Sequence, residues 1–287
     1  MTTAGRQSKE TIASRSVTTI SSRVRPFHFP DLIRWRYLIY LFVKRDFIVY
    51  FQQTLLGPLW YLLQPLASTF VLSIIFGRIA KLPTDATPPF LFYLLGTVVW
   101  GYFSDCFMRT SQSLAANKRE FDGAAFPRLT VPVAAVFSAL IQFAVQFMLF
   151  LGFYLWYRRA GMSVSVSPLL IIPALAQLAL TGMGGVMRVA ALTVKYRDLS
   201  HLVGFCMQLL YFCTPLVYPL SMVPRQWREP YCCNPLTTVI EMFRKAFFGS
   251  TTLSLNEYCI GLIVTLLLFF VGLVVFNSVE KTFIDTI

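Results

Sequence analysis

Charge is scarce in this sequence. Asp, Glu, Lys and Arg make up 13% of 287 residues against 56% hydrophobic residues, which is too little polar surface to cover a soluble domain of that length. Acid is scarcer still, with 13 carboxylates against 25 basic residues. Histidine is limited to His28 and His201, and there is no His-Glu-x-x-His, no Gly-x-Ser-x-Gly and no loop bearing Asp-x-Asp, so the common hydrolytic designs are excluded. No glycine precedes a lysine, so ATP phosphates cannot be cradled in the P-loop manner. The six cysteines, Cys106, Cys206, Cys213, Cys232, Cys233 and Cys259, form no CxxC pair and have no histidine at ligand spacing, which argues against a metal site. Most sit in apolar runs and read as small buried hydrophobes. The adjacent Cys232 and Cys233 would make a strained disulfide with each other and are given no role. The first 30 residues are polar and lack the apolar core of a cleavable signal.

What is present is a set of long apolar runs. Six of them are long enough to cross about 30 Å of hydrocarbon: Leu55 to Phe76, Phe90 to Met108, Val131 to Trp156, Leu169 to Val194, Leu202 to Val223 and Tyr258 to Phe276. Residues 1–30 are rich in Ser, Thr and Arg without hydrophobic period, and are expected to be a disordered cytoplasmic tail. Residues 31–53 follow, opening on Asp31 as an N-cap. On a helical wheel Asp31, Arg34, Arg45, Asp46, Gln52 and Gln53 share one third of the circumference, while Ile33, Tyr40, Val43, Phe47 and Phe51 lie opposite. The separation is imperfect at Arg36, Leu38 and Val49, but an amphipathic helix on the membrane surface is the reading. Gly57-Pro58 marks where it turns into the first span, and residues 54–287 form the transmembrane domain.

An even number of spans puts both termini on one side. That side collects 15 Lys and Arg against eight on the other, so both termini are expected to be cytoplasmic. The basic excess therefore suits a membrane surface with its lipids rather than nucleic acid. Between the fifth and sixth spans, residues 224–257 hold Asn234 and Pro235 as N-cap and N1 of a helix over Leu236 to Phe248, with Gly249 as its C′ residue. About thirteen residues cannot cross a bilayer, so this helix is expected to re-enter or to lie at the outer interface.

Within the spans, Asp105 and Arg109 are spaced for an i,i+4 ion pair, and Arg188 for snorkelling to the cytoplasmic interface. The loop at 113–130 mixes Lys118, Arg119 and Arg128 with Phe121 and Phe126. It is either an ordinary solvated loop or a docking element whose aromatic residues seat in a partner's groove, and Lys195 to Leu199 could join the same surface. Aromatic residues Trp60, Tyr61, Tyr93, Trp100, Tyr102, Phe103 and Phe107 crowd the first two spans. Interfacial belts and core packing account for most of such crowding, and a sugar-conducting pore would also want aromatic walls. Gly182, Gly184 and Gly185 in the fourth span point to close helix packing.

Arg45-Asp46, Gln53-Thr-Leu-Leu-Gly-Pro-Leu-Trp60 and Gln64-Pro65 resemble the opening of the membrane subunit of type-2 ABC exporters, in the branch that exports O-antigen, teichoic acid and capsule-type polysaccharides. Phe126-Pro-Arg-Leu129, Tyr196-Arg-Asp-Leu199 and Asn234-Pro-Leu236 follow in the same order. The resemblance covers residues 31 to 280. It implies an all-α integral membrane protein with six transmembrane helices per protomer, an N-terminal interfacial helix and short re-entrant or external helices between spans five and six. It also implies a homodimeric channel in the bacterial inner membrane, driven by two copies of a separate ABC ATPase that carries ATP and Mg. The chain itself would be neither an enzyme nor a cofactor binder. Coupling to the ATPase would fall to Arg34, Arg45, Asp46, Lys118, Arg119, Phe121, Phe126, Arg128, Arg197 and Asp198. The seven aromatic residues above would line the channel, and Asn234, Pro235, Glu241 and Phe243 would form the outer gate. The substrate would be a lipid-linked polysaccharide, whose phosphates Arg45 could attract by charge. A permease for a smaller lipid or hydrophobic compound is the alternative within the family. A membrane glycosyltransferase is the alternative outside it, although no loop of clustered acids is present for it.

Overall fold

The computed structural model describes residues 34–52, 57–116, 130–162, 167–195, 199–249 and 252–284. The tail at 1–30, the proposed cap Asp31, and the loop residues Lys118, Arg119, Phe121, Phe126, Arg128, Arg197 and Asp198 lie outside these. Among the described residues every regular element is helical. In chain order they are α1 (Arg36–Gln52), α2 (Trp60–Leu72), α3 (Pro89–Ala116), α4 (Thr130–Arg159), α5 (Ile171–Lys195), α6 (Leu199–Phe212), α7 (Arg225–Cys232), α8 (Pro235–Phe248) and α9 (Leu255–Ile284).

Local chemistry sets the boundaries. Gly57 adopts φ +51°, a left-handed conformation open to glycine, and the short 3₁₀ turn Gly57–Leu59 then delivers the chain into α2. At its other end α2 widens into a π-helical stretch, Ser73–Ile79. Ser254 and Glu257 open α9 as a capping box: Ser254 N donates to Glu257 Oε2 at 2.7 Å and Glu257 N to Ser254 Oγ at 3.2 Å.

Among the described residues, five stretches are long and apolar enough to cross a membrane: Trp60–Ile79, Pro89–Ser111, Thr130–Arg159, Pro168–Leu192 and Leu255–Phe276. The run expected as a further span behaves differently. Its helix α6 stops at Phe212 after 14 residues, about 21 Å at 1.5 Å per residue. Pro215 disfavours helical geometry at Thr214, and the chain continues to Val223 through turns and the 3₁₀ piece Leu220–Met222.

Helix α3 is the centre of the bundle, packed against α2, α4, α5, α6 and α8. Its Leu91, Leu94, Leu95, Val98, Val99, Tyr102 and Cys106 are buried in the main apolar cluster. Helix α5 packs on α3 and α9 through glycine. A Cβ on Gly184 would stand 2.7 Å from Phe269 Cα, and one on Gly272 would stand 2.5 Å from Gly184 O. A Cβ on Gly185 would overlap the Phe107 ring. In an apolar solvent helices gain nothing by hiding Leu from water, so close backbone approach is the main route to van der Waals attraction. A second cluster of Val133, Met187, Ala190 and Phe276 joins α4, α5 and α9, and Ile39 of α1 packs onto it.

Replacing Gly184 by Val should therefore force α5 and α9 apart and lower the Tm of the detergent-solubilised protein by several degrees. Gly152→Ala, where no atom lies within 4 Å of the added carbon, should leave Tm unchanged or slightly raised. Equal effects at the two sites would remove the packing role of Gly184.

Candidate functional site: a re-entrant helix and the face of α1

Helix α8 begins with the chemistry its sequence announces. Asn234 Oδ1 accepts from Leu236 N at 3.1 Å, Pro235 occupies the first turn, and Gly249 closes the helix at φ +66° with its N–H on Lys245 O. Asn234 also reaches across to the broken end of α6: its Nδ2 donates to Cys213 O and to Thr214 Oγ1, both at 3.2 Å.

The partners of α8 fix its direction. Near its start, Thr238 Oγ1 accepts from Gln177 Nε2 at 2.9 Å, and the same nitrogen donates to Thr265 Oγ1 at 3.2 Å. Gln177 lies six residues, or about 9 Å, inside α5, and Thr265 ten residues, or about 15 Å, inside α9. At the other end of α8, Ser167 N donates to Ala246 O at 2.9 Å and Tyr154 Oη to Phe247 O at 3.1 Å. Ser167 precedes the turn that leads into α5 and Tyr154 lies five residues before the end of α4, and both carbonyls belong to the last turn, where no intrahelical partner exists. Of the two expected placements, α8 thus takes the re-entrant one, running from inside the bundle to its end, with α7 leading into it.

Twelve of the 14 residues of α8 are buried. Phe243 and Phe247 interlock with Phe143, Phe147, Phe150 and Tyr154 of α4 at ring separations of 5.1 to 6.4 Å. In the middle of the helix Arg244 Nη1 donates to Glu241 Oε1 at 2.7 Å, with both residues 1% exposed. The guanidinium carbon lies 3.7 Å from the centroid of the Phe92 ring, a cation–π contact strengthened by the absence of water. Beside it, Tyr231 and Tyr218 share a hydrogen bond at 2.8 Å, and Ser221 Oγ donates to Asp85 Oδ1 at 2.8 Å. Burial, with the carboxylates of Glu257 and Glu241 adding to it, pushes the Cys232 thiol up to about 12, so it stays protonated and unreactive.

The residues expected to contact an ATPase divide. Arg34 is exposed. Arg45 and Asp46 pair with each other at 3.3 Å and are only half-exposed, and Ser138 Oγ of α4 donates to Asp46 Oδ2 at 3.4 Å. Tyr37, Tyr40, Leu41, Phe47 and Ile48 point away from the bundle. The helix thus turns part of its polar side inward and aromatic side chains outward, the reverse of a water-facing amphipathic helix and suited to an apolar or interfacial surround.

The aromatic residues expected along a channel differ in burial. Tyr61, Tyr93, Tyr102, Phe103 and Phe107 are each at most 8% exposed and belong to the packing between helices. Trp60 alone is exposed, and Trp100 is half-buried against Tyr211. Of the gate candidates, Pro235, Glu241 and Phe243 are buried on the re-entrant helix and Asn234 is its half-buried cap. Arg109 does not pair with Asp105; its Nη2 donates to Gln142 Oε1 of α4 at 2.6 Å, because the neighbouring helix offers a closer acceptor than the next turn. Arg188 is half-buried with Nε on Gly184 O at 3.1 Å. Sequence reasoning missed the bridge from Asn234 to Cys213 and Thr214, which no local signal announces.

The fold and these contacts define a multi-pass, all-helical membrane protein with a core-packed re-entrant helix. The family described as ABC-2 type transporter matches residues 37–248, and the chain belongs to that family. It is similar to the O-antigen export system permease protein RfbA of Klebsiella pneumoniae, 27% identical with 86% of this chain and 94% of that protein covered. The protein of the same name in Myxococcus xanthus is 23% identical, covering 90% and 98%. The polysialic acid transport protein KpsM of Escherichia coli is 28% identical, covering 80% and 89%. The chain is accordingly a transport subunit.

Glu241→Gln should strand the Arg244 charge in the core at a cost of about 3–5 kcal/mol, seen as a marked fall in Tm and in the yield of folded protein. The double variant Glu241→Leu with Arg244→Met removes both charges and should recover most of that loss. A single variant no worse than the double would show that the pair does not seat the helix.

Proposed function

We propose that this chain is the permease subunit of an ATP-driven exporter of lipid-linked polysaccharide. It works in the bacterial inner membrane as a homodimer, with both termini cytoplasmic and with two copies of a separate ABC ATPase supplying ATP hydrolysis. The observation that carries the reading is the set of relatives. Proteins named for O-antigen export and for polysialic acid transport align along 80 to 90% of the chain, so the likeness extends over the spans and the re-entrant helix together. The lack of any P-loop sequence in the chain supports an energy source on a partner. A core-seated α8 at one end of the bundle supports a gate whose position is set by helix packing.

The coupling surface in this reading comprises Arg34, two residues ahead of α1, and the loops holding Lys118 to Arg128 and Arg197-Asp198, with Arg45 and Asp46 joining α1 to α4. Deleting the gene should abolish surface polysaccharide while full-length lipid-linked polymer accumulates in the inner membrane. If no polymer forms anywhere, synthesis has failed and the enzyme reading revives; unchanged glycan in both fractions indicates another cargo. In the complemented strain, Phe121→Asp and Phe126→Asp should each cut export at least tenfold with the dimer still inserted. Normal export in such a variant would take that residue out of the docking surface.

A further inference from the structure

The aromatic residues of α3 are in the core, yet α3 retains one face that is neither buried nor open. Thr97, Trp100, Gly101, Ser104, Asp105 and Arg109, with Met108 among them, are half-buried. Their spacings of three, four, seven and eight place them on one side of a helix, covering about 18 Å of its length. The opposite side, through Val98, Val99, Tyr102 and Cys106, is sealed in the apolar cluster. Gln146 of α4 faces the stripe: its Oε1 would stand 3.4 Å from a Cβ on Gly101, so glycine there makes room for the amide. Gln142, one turn earlier, holds Arg109 at 2.6 Å.

Among the described residues Ser104, Asp105 and Gln146 take no part in a side-chain hydrogen bond or ion pair, and Arg109 Nε is buried without an acceptor. Gln146 is 4% exposed. A carboxylate turned toward hydrocarbon costs about 3 kcal/mol at the centre of a span, and unpaired amides and hydroxyls add to that. A face made of such groups therefore meets water or a polar ligand rather than lipid. It has no second acid or histidine for proton transfer, and its one acid and one base leave it without net charge, so it selects neither anions nor cations. Planar carboxylate, amide and guanidinium groups beside an indole ring match a sugar, whose hydroxyls both donate and accept and whose CH faces pack on aromatic rings.

We infer that this stripe of α3, backed by Gln142 and Gln146 of α4, is the surface along which the sugar hydroxyls of the polymer travel, with Trp100 as its stacking ring. The inference rests on the polysaccharide reading above and names its contact surface.

The test uses the full transporter in the deletion strain. Failure of the wild-type gene to restore surface glycan overturns the polysaccharide reading and this inference with it. With wild-type export restored, Asp105→Leu and Gln146→Leu should each reduce surface glycan at least tenfold at unchanged membrane level, and Asp105→Asn should recover at least a third of export because the amide keeps its hydrogen bonds. Export within twofold of wild type in both leucine variants overturns the inference alone. A second measurement does not depend on their folding. Ser104→Cys should be modified by a membrane-impermeant methanethiosulfonate, located by peptide mass spectrometry, with loss of export on modification. Met148→Cys, on the exposed apolar side of α4, should remain unmodified. Absence of labelling at Ser104→Cys also overturns the inference.

Discussion

The ion pair between Glu241 and Arg244 sets the terms for the rest of α8. Two charges 1% exposed carry a desolvation penalty that their attraction offsets only with good geometry and further contacts. The 2.7 Å hydrogen bond and the Phe92 ring supply that geometry, but only while α8 keeps its depth and rotation. A shift of one turn would separate the guanidinium from the ring and leave both charges in an apolar core. The pair thus specifies position more than it adds stability. The aromatic interlock with α4 and the capped carbonyls at the last turn supply the adhesion.

The same division of labour runs through the membrane-spanning part. Adhesion between α5 and α9 comes from backbone contact at Gly184 and Gly272, where no side chain intervenes. Position comes from sparse polar contacts: Gln177 joins α5, α8 and α9 through two threonines, and Gln142 joins α4 to α3 through Arg109. Gln177 is 1% exposed, where no alternative partner is offered, so its two bonds fix a register. The polar groups left over on the half-buried side of α3 stand out against this economy.

Signals confined to a few residues were legible from sequence. Asn234, Pro235 and Gly249 mark the limits of α8 because capping is a matter of neighbouring residues, and the long apolar runs locate the five spans of the described residues to within five residues at each end. The Ser254-x-x-Glu257 capping box was equally local and went unread. The run from Leu202 to Val223 misled because hydropathy counts side chains and is blind to backbone geometry; Pro215 and Pro219 stop the helix while leaving the run apolar. Asp105 and Arg109 were paired because their spacing allowed it, whereas the competitor, Gln142, sits 33 residues away. Aromatic crowding could not be resolved into core and surface, since Tyr102 and Trp100 differ in burial only through which neighbours face them.

Asn234 serves two clients with one side chain. Its oxygen holds the first turn of α8, and its nitrogen holds the carbonyl and hydroxyl where α6 has come undone. The amide is planar, so the two ends cannot turn independently: a rotation that releases the oxygen swings the nitrogen away as well. Loosening of the first turn of α8 and unravelling of the neighbouring helix are therefore coupled through one side chain, and the junction behaves as a clasp.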